Sequence, residues 1–272
     1  MNRHHHSATT ARFAVALVLS GPILWAAWAS HQPIDRIFAN GSPGSGTDAP
    51  SWQWSNYRDA VTRLPLLRFV ANSVVITTAA TLGTVLSTSL AGFAFARLRW
   101  RGRRLWHVVL LATMMLPGQV LLIGQFFVFS RLGWVNTYKP LIVPAWLAAS
   151  SLAVLVFREF FRAVPRSYVD AARLDGATDW QVYWEIMLPM SRPVVAAVAA
   201  MTAVYHWQTF LPPLVYLSDY QGYPVSVGLR MYQAMEGSWA NLIMAASLIA
   251  MLPPLVVVLV AHRVLVDHRP PS

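Results

Sequence analysis

The residues of this 272-residue chain that are spaced for a shared task lie between Glu159 and Arg192. Ser167-x-x-Asp170 and Thr178-x-x-Gln181 each have the spacing of a helix start, where a hydroxyl accepts from the backbone N–H three residues on. Tyr168, Ala171 and Ala172 fall on one helical face. Gly176 stands where a left-handed residue would end the first helix. Trp180, Tyr183, Trp184 and Met187 stripe one side of the second, and Pro189 and Pro193 are expected to stop it. The segment reads as helix, glycine turn, helix, and is slim at Ala171, Ala172, Gly176 and Ala177. Such an element fits a groove on another protein or rests on a membrane surface as an amphipathic stretch. The pattern alone leaves both open.

Bond-making chemistry has no comparable signal. No Gly-x-x-x-x-Gly-Lys-Ser/Thr loop is present, and the only lysine, Lys139, is followed by Pro140 where that motif has Ser or Thr. His, Asp and Glu nowhere cluster with metal-ligand spacing, and His4–His6 read as a histidine-rich tail, with metal binding as the alternative. His206 is the only histidine deep in an apolar stretch and has no carboxylate beside it. No catalytic residue and no metal site is assigned. Cysteine is absent, which excludes disulfides and thiol chemistry.

The elements that must position the segment are apolar. Hydrophobic residues make up 56% of the chain and charged residues 12%, about half the share an average soluble domain carries. Lipid as the outer solvent resolves that shortage. Six stretches lack Asp, Glu, Lys and Arg: 13–33, 69–96, 105–130, 140–157, 193–218 and 237–262. Each is long enough for a helix to cross about 30 Å of hydrocarbon, and helices satisfy their own backbone there. An all-α, polytopic membrane protein with six transmembrane helices in a single domain over 1–272 is expected. Pro117–Gly118, Pro144, Pro212–Pro213 and Pro253–Pro254 should break or kink four of the spans. Span one has a rival reading as a cleavable leader, with small residues at Ala26, Ala27 and Ala29.

Charge sets the direction. Arg97, Arg99, Arg101, Arg103 and Arg104 crowd the second loop, and Arg158, Arg162, Arg166, Arg173 and Arg192 mark the fourth. The third loop has Arg131 and Lys139, and the fifth Arg230 with Asp219 and Glu236. The bias places loops two and four and both termini in the cytoplasm, with loop 34–68 and its Gly41–Pro50 stretch outside. This distribution, rather than nucleic-acid binding, accounts for the net charge of +10. Polar residues inside spans face a cavity or a partner helix. Asn72, Gln119, Gln125, Tyr205, His206, Gln208 and Asn241 are therefore candidates for a solute pathway, with Trp207, Tyr205 and Tyr216 able to stack on a sugar ring. An interhelical hydrogen bond is the alternative for each.

Asp170-Ala171-Ala172, Gly176 four residues later, and then Ile186, Leu188 and Pro189 resemble the EAA loop of binding-protein-dependent ABC importer permeases. Asn56-Tyr57-Arg58, Met114 to Gln119, Asn136-Thr137-Tyr138, Leu188 to Pro193, Pro224 to Leu229 and Met244 to Ser247 extend the resemblance to the second permease of maltose and glycerol-phosphate importers. Asp170 replaces the usual Glu, and Trp207-Gln208-Thr209-Phe210 replaces the common Trp-Asn-Asp-Phe. The resemblance implies a type I ABC importer permease fold in a bacterial cytoplasmic membrane. It makes 159–192 the coupling loop, with Asp170, Ala171, Ala172, Asp175, Gly176, Ala177, Ile186 and Pro189 facing an ATPase subunit. Implied partners are a second permease, two copies of the ATPase carrying ATP and Mg, and an extracytoplasmic solute-binding protein. The implied cargo is a sugar, oligosaccharide or related polyol, with peptide or amino acid as the alternative.

Overall fold

The computed structural model describes residues 18–33, 37, 52–234 and 239–267. His4–His6, Gly41–Pro50, Glu236 and the first residues of span one lie outside them. Helices dominate, and there is no strand among the described residues. In chain order they are α1 (Val18–Ala29), α2 (Ser55–Thr62), α3 (Leu66–Arg97), α4 (Arg103–Thr113), α5 (Gly118–Arg131), α6 (Lys139–Ile142) and α7 (Ser151–Ala163). There follow α8 (Arg166–Leu174), α9 (Asp179–Met190), α10 (Arg192–Gln208), α11 (Leu211–Tyr216), α12 (Val225–Ala234) and α13 (Ala240–Asp267).

Each expected span contains an apolar helix. Leu66–Arg97, Lys139–Ala163 and Ala240–Val266 are long and apolar enough to cross a membrane singly. The pair α4 and α5 bends by 105°, and α9 with α10 by 76°. Pro117 stands at the first of these breaks, as its missing donor and the clash of its ring with the preceding turn require. Pro144 lies in a 3-10 turn, Val143–Leu147, after which Ala148 turns left-handed at φ 54°. Ser87 of α3 repairs that break, donating to the Ala145 carbonyl at 3.0 Å and accepting from the Ala148 N–H at 3.2 Å. The break before Pro212 is repaired similarly, since Ser226 donates to the Thr209 carbonyl at 2.7 Å. In span six, α13 runs unbroken through Pro253 and Pro254.

The chain divides into two compact units. One comprises residues 1–68 with 228–252, the other 69–227 with 253–272. In the first, Asn56 of α2 donates to the carbonyls of Ser30 and Gln32 at 2.9 and 3.1 Å. Asn241 donates to the Asn56 side chain at 3.1 Å, and Tyr232 donates to the Ala60 carbonyl. His31 sits among the rings of Trp52, Trp54 and Tyr57 at 4.6–5.2 Å between centroids. Loop one thus carries an ordered helix, α2, beyond what its composition suggested.

In the second unit the core gathers Phe93 of α3, Phe157 and Phe161 of α7, Val169 of α8, Val182, Tyr183 and Met187 of α9, and Val198 of α10. Glycine lets α3 approach closely. A Cβ on Gly92 would lie 2.6 Å from Phe157 Cβ, and one on Gly83 would lie 2.4 Å from the Trp146 ring. Side chains there would force the helices apart.

Candidate functional site

The segment Arg166–Met190 is built from its own turn chemistry. Thr178 accepts from the Gln181 N–H at 3.3 Å while the Gln181 side chain accepts from the Thr178 N–H at 2.9 Å, which is the reciprocal cap its spacing demanded. Gly176 adopts φ +86°. Its N–H donates to the Arg173 carbonyl at 3.1 Å, and the Ala177 N–H donates to the Ala172 carbonyl at 2.9 Å. Those two bonds close α8 with a glycine in the left-handed position. Arg173 and Asp179 pair across the turn at 2.7 Å, both about half exposed.

Three details depart from the sequence reading. Pro165, extended at ψ 139°, already starts α8 at Arg166, so Ser167 lies inside the helix and caps nothing. The inward face of α8 is Val169 and Ala172, whereas Tyr168 and Ala171 point outward. The second helix does stop at Met190, just past Pro189, but it is not a plain α-helix before that proline. A π-helical stretch, Val182–Met187, widens the chain ahead of it, and the proline sits in the short turn Leu188–Met190.

The expected aromatic stripe therefore splits. Tyr183 and Met187 are buried in the core, and the Tyr183 hydroxyl bonds Ser89 of α3 at 2.7 Å. Arg97, at the end of α3, donates to the Val164 carbonyl just before α8. Trp180 is 60% exposed and Leu174, at the tip beside the glycine turn, is 90% exposed. Of the coupling candidates, Asp170, Ala171, Asp175, Gly176 and Pro189 are exposed, while Ala172, Ala177 and Ile186 are half-buried. The segment has a root fixed in the apolar core and an open tip.

The same unit encloses a cavity of about 430 Å³ between α3, α5, the broken span Lys139–Ala163, α10 and α11. That volume falls in the roughly 300–1,000 Å³ range of small-molecule sites. Gln125, Tyr205 and His206 line it, as does Tyr216. The Tyr216 hydroxyl donates to Gln125 Oε1 at 3.1 Å, which leaves the Gln125 amide N–H groups for other acceptors. Tyr205 and His206 meet edge-on at 5.2 Å.

The other pathway candidates lie elsewhere. Asn72 donates to the carbonyls of Gln221 and Tyr223 at 2.8 and 3.0 Å, and Asn241 bonds Asn56 in the other unit. Gln119 and Gln208 are exposed but outside the lining, and Trp207 is buried in packing. Sequence reasoning missed Thr77, Thr84, Thr202 and Thr209, which line the cavity. Ser73, Thr77 and Thr84 recur at helical spacing along α3, so the signal was a stripe of hydroxyls on one face. Short hydroxyls are cheap enough in a span to pass unnoticed beside amides and imidazoles.

Residues 68–269 match the family described as the binding-protein-dependent transport system inner membrane component. The chain is 30% identical over 251 residues to the diacetylchitobiose uptake system permease protein NgcG of Streptomyces coelicolor, covering 91% of this chain and 82% of that one. It is 34% identical over 205 residues to the sn-glycerol-3-phosphate transport system permease protein UgpE of Shigella flexneri, covering 74% and 72%. Its fold matches a chain of a bacterial ABC transporter for the acidic polysaccharide alginate at a TM-score of 0.80, with 18% identity over 96% of both chains. A second alginate transporter structure, in complex with an alginate pentasaccharide-bound periplasmic protein, matches at 0.67 with 14% identity over 94% and 91%. The all-helical, multi-pass architecture, the six-part apolar pattern and the EAA-like segment thus meet a match over most of the length: this chain belongs to the binding-protein-dependent transport system inner membrane component family.

Proposed function

We propose that this chain is the membrane permease subunit of an ATP-driven importer that takes a carbohydrate or related polyol into the cytoplasm. Its fourth loop, with both termini, faces the cytoplasm and docks in a cleft of a separate ATPase subunit, where ATP and Mg are held. A second permease, two ATPase copies and an external solute-binding protein complete the assembly. The observation that carries this reading is the split character of Arg166–Met190. Val169, Val182, Tyr183 and Met187 are buried in the transmembrane core, while Leu174 and Trp180 are presented outward around a glycine turn. An apolar tip of this kind calls for a partner, and a buried root transmits displacement because packed cores do not deform continuously.

ATP binding would draw the docked tip, and the root would carry that movement to α3, α7 and α10. A ligand shifts such a two-state balance only through different affinity for the two states. The carbohydrate cargo is supported by the similarity to the diacetylchitobiose and glycerol-3-phosphate permeases. The test is Gly176→Val in the assembled importer. The variant should reach the membrane at normal level, with ATPase activity no longer stimulated by the loaded binding protein and uptake abolished. Unimpaired uptake would refute the coupling role. Uptake of a peptide or amino acid with no carbohydrate carried would refute the cargo.

A further inference from the structure

Among the described residues, the lining of the cavity contains no Arg, Lys, Asp or Glu. Its ionisable side chains are one imidazole, His206, and the phenols of Tyr205 and Tyr216. The nearest cation in sequence, Lys139, adjoins the lining residue Pro140 but is exposed and outside the lining. All other basic residues near this unit's spans sit at span ends or in loops. An anion entering such a cavity would lose its hydration with no fixed positive charge to replace it, which is costly in a low-dielectric site.

What the cavity does offer is neutral hydrogen-bonding capacity against an apolar wall. Thr77 is 8% exposed, lines the cavity, and its hydroxyl has no hydrogen-bond partner. The hydroxyl oxygen is itself closed off from the cavity, so a solute pairs with it only when the Thr77 side chain turns about χ1. Gln125 holds free amide donors opposite, and Tyr205 supplies an exposed ring. Hydroxyl, amide donor and aromatic face together match a sugar, whose hydroxyls or acetamido groups need both donors and acceptors and whose ring has an apolar face.

We infer that this subunit contributes its own solute site, and that the site selects uncharged saccharides or polyols and excludes phosphorylated or carboxylated ones. This rests on the reading of the chain as a carbohydrate permease. It narrows that cargo to the neutral class and assigns Thr77 and Gln125 as solute contacts.

The test uses cells carrying the whole importer, with the chromosomal copy of this chain deleted and restored as wild type, Thr77→Val or Gln125→Leu. Labelled probes are neutral mono- to trisaccharides and polyols, including N,N′-diacetylchitobiose, alongside the anions sn-glycerol-3-phosphate and alginate oligosaccharides. At least one neutral probe should enter in a manner dependent on this chain. The anions should enter about tenfold or more slowly, as expected for an unpaired charge in a low-dielectric site. Uptake is compared at equal membrane level, because Thr77→Val keeps the side-chain shape whereas Gln125→Leu also removes the acceptor of the buried Tyr216 hydroxyl. Each variant should lower neutral uptake about three- to tenfold, the worth of a hydrogen bond. Chain-dependent entry of an anion at a rate equal to the neutral probes overturns the selectivity and leaves the permease role standing. Full neutral uptake in both variants overturns the assigned contacts. Entry of no probe at all overturns the carbohydrate reading itself.

Discussion

The fourth-loop segment and the cavity belong to one compact unit, yet they are made in opposite ways. In Arg166–Met190 the defining bonds join residues three to six apart: Gly176 to Arg173, Ala177 to Ala172, Gln181 to Thr178, Arg173 to Asp179. In the cavity the partners are far apart in the chain, with Tyr216 bonded to Gln125 and Ser87 of α3 holding Ala145 and Ala148. The segment carries its form in its own sequence and borrows only an anchor from the core. The cavity has no form until distant helices meet. Under the proposed function the difference fits, since a lever needs a stiff, self-contained tip and a passage that opens and closes is served by contacts between separate helices.

That contrast can be broken or sharpened by substitution. The largest effect is expected at Gly92, where α3 meets α7. Gly92→Val places methyl groups within the space of Phe157, and overpacking there should cost about 1–3 kcal/mol or more. A thermal melt of the purified subunit should show a clear drop, with less protein in the membrane. An unchanged melt would show that the two helices are not held as closely as the 2.6 Å approach requires.

Gly176 comes next, for the opposite reason. An added Cβ meets nothing within 4 Å, so any defect there is one of backbone conformation or of fit to a partner, not of internal packing. At φ +86° a β-branched residue is strained by about 1–2 kcal/mol, while asparagine is tolerated at such a position. Gly176→Asn should keep more transport than Gly176→Val at equal membrane levels. Equal loss in both would move the role of the glycine from turn geometry to slimness at the docking surface.

Tyr183→Phe tests the anchor. It removes one buried bond to Ser89, whose hydroxyl still donates to the Leu86 carbonyl, and should cost about 1 kcal/mol in the same melt. The smallest change is expected for Arg173→Ala. The pair with Asp179 is half exposed, so its loss should be worth less than about 1 kcal/mol and should shrink further in high salt. A larger, salt-insensitive loss would mean that the pair braces the turn far more than exposed charges normally do.

Where the sequence reading held, the governing interactions were short in range. Thr178 and Gln181 cap a helix start whatever the rest of the chain does, and Gly176 ends α8 because only a left-handed residue closes that turn. Where it slipped, a neighbour intervened. Pro165 moved the start of α8 ahead of Ser167, and the π-helical stretch before Pro189 broke up the expected stripe of Trp180, Tyr183, Trp184 and Met187. Asn136 lies between. Its motif was visible, but its work is to accept from the N–H groups of Ser218 and Asp219 at 3.0 Å each, across more than eighty positions of chain.

The chain by itself determined its solvent, its helical character, its apolar spans and the wedge in its fourth loop. Hydrophobic patterning, charge placement and local capping act within a few turns and need no partner. Tertiary structure alone decided which polar side chains share a cavity and which are bound up in holding helices together. Asn72 and Asn241 looked as suitable as Gln125, yet both lie outside the cavity in bonds to distant backbone or side chain, while the inconspicuous Thr77 is part of its wall. A polar atom within a bilayer pairs with whatever the packing of helices brings within about 3 Å, and that distance is fixed only when the helices are assembled.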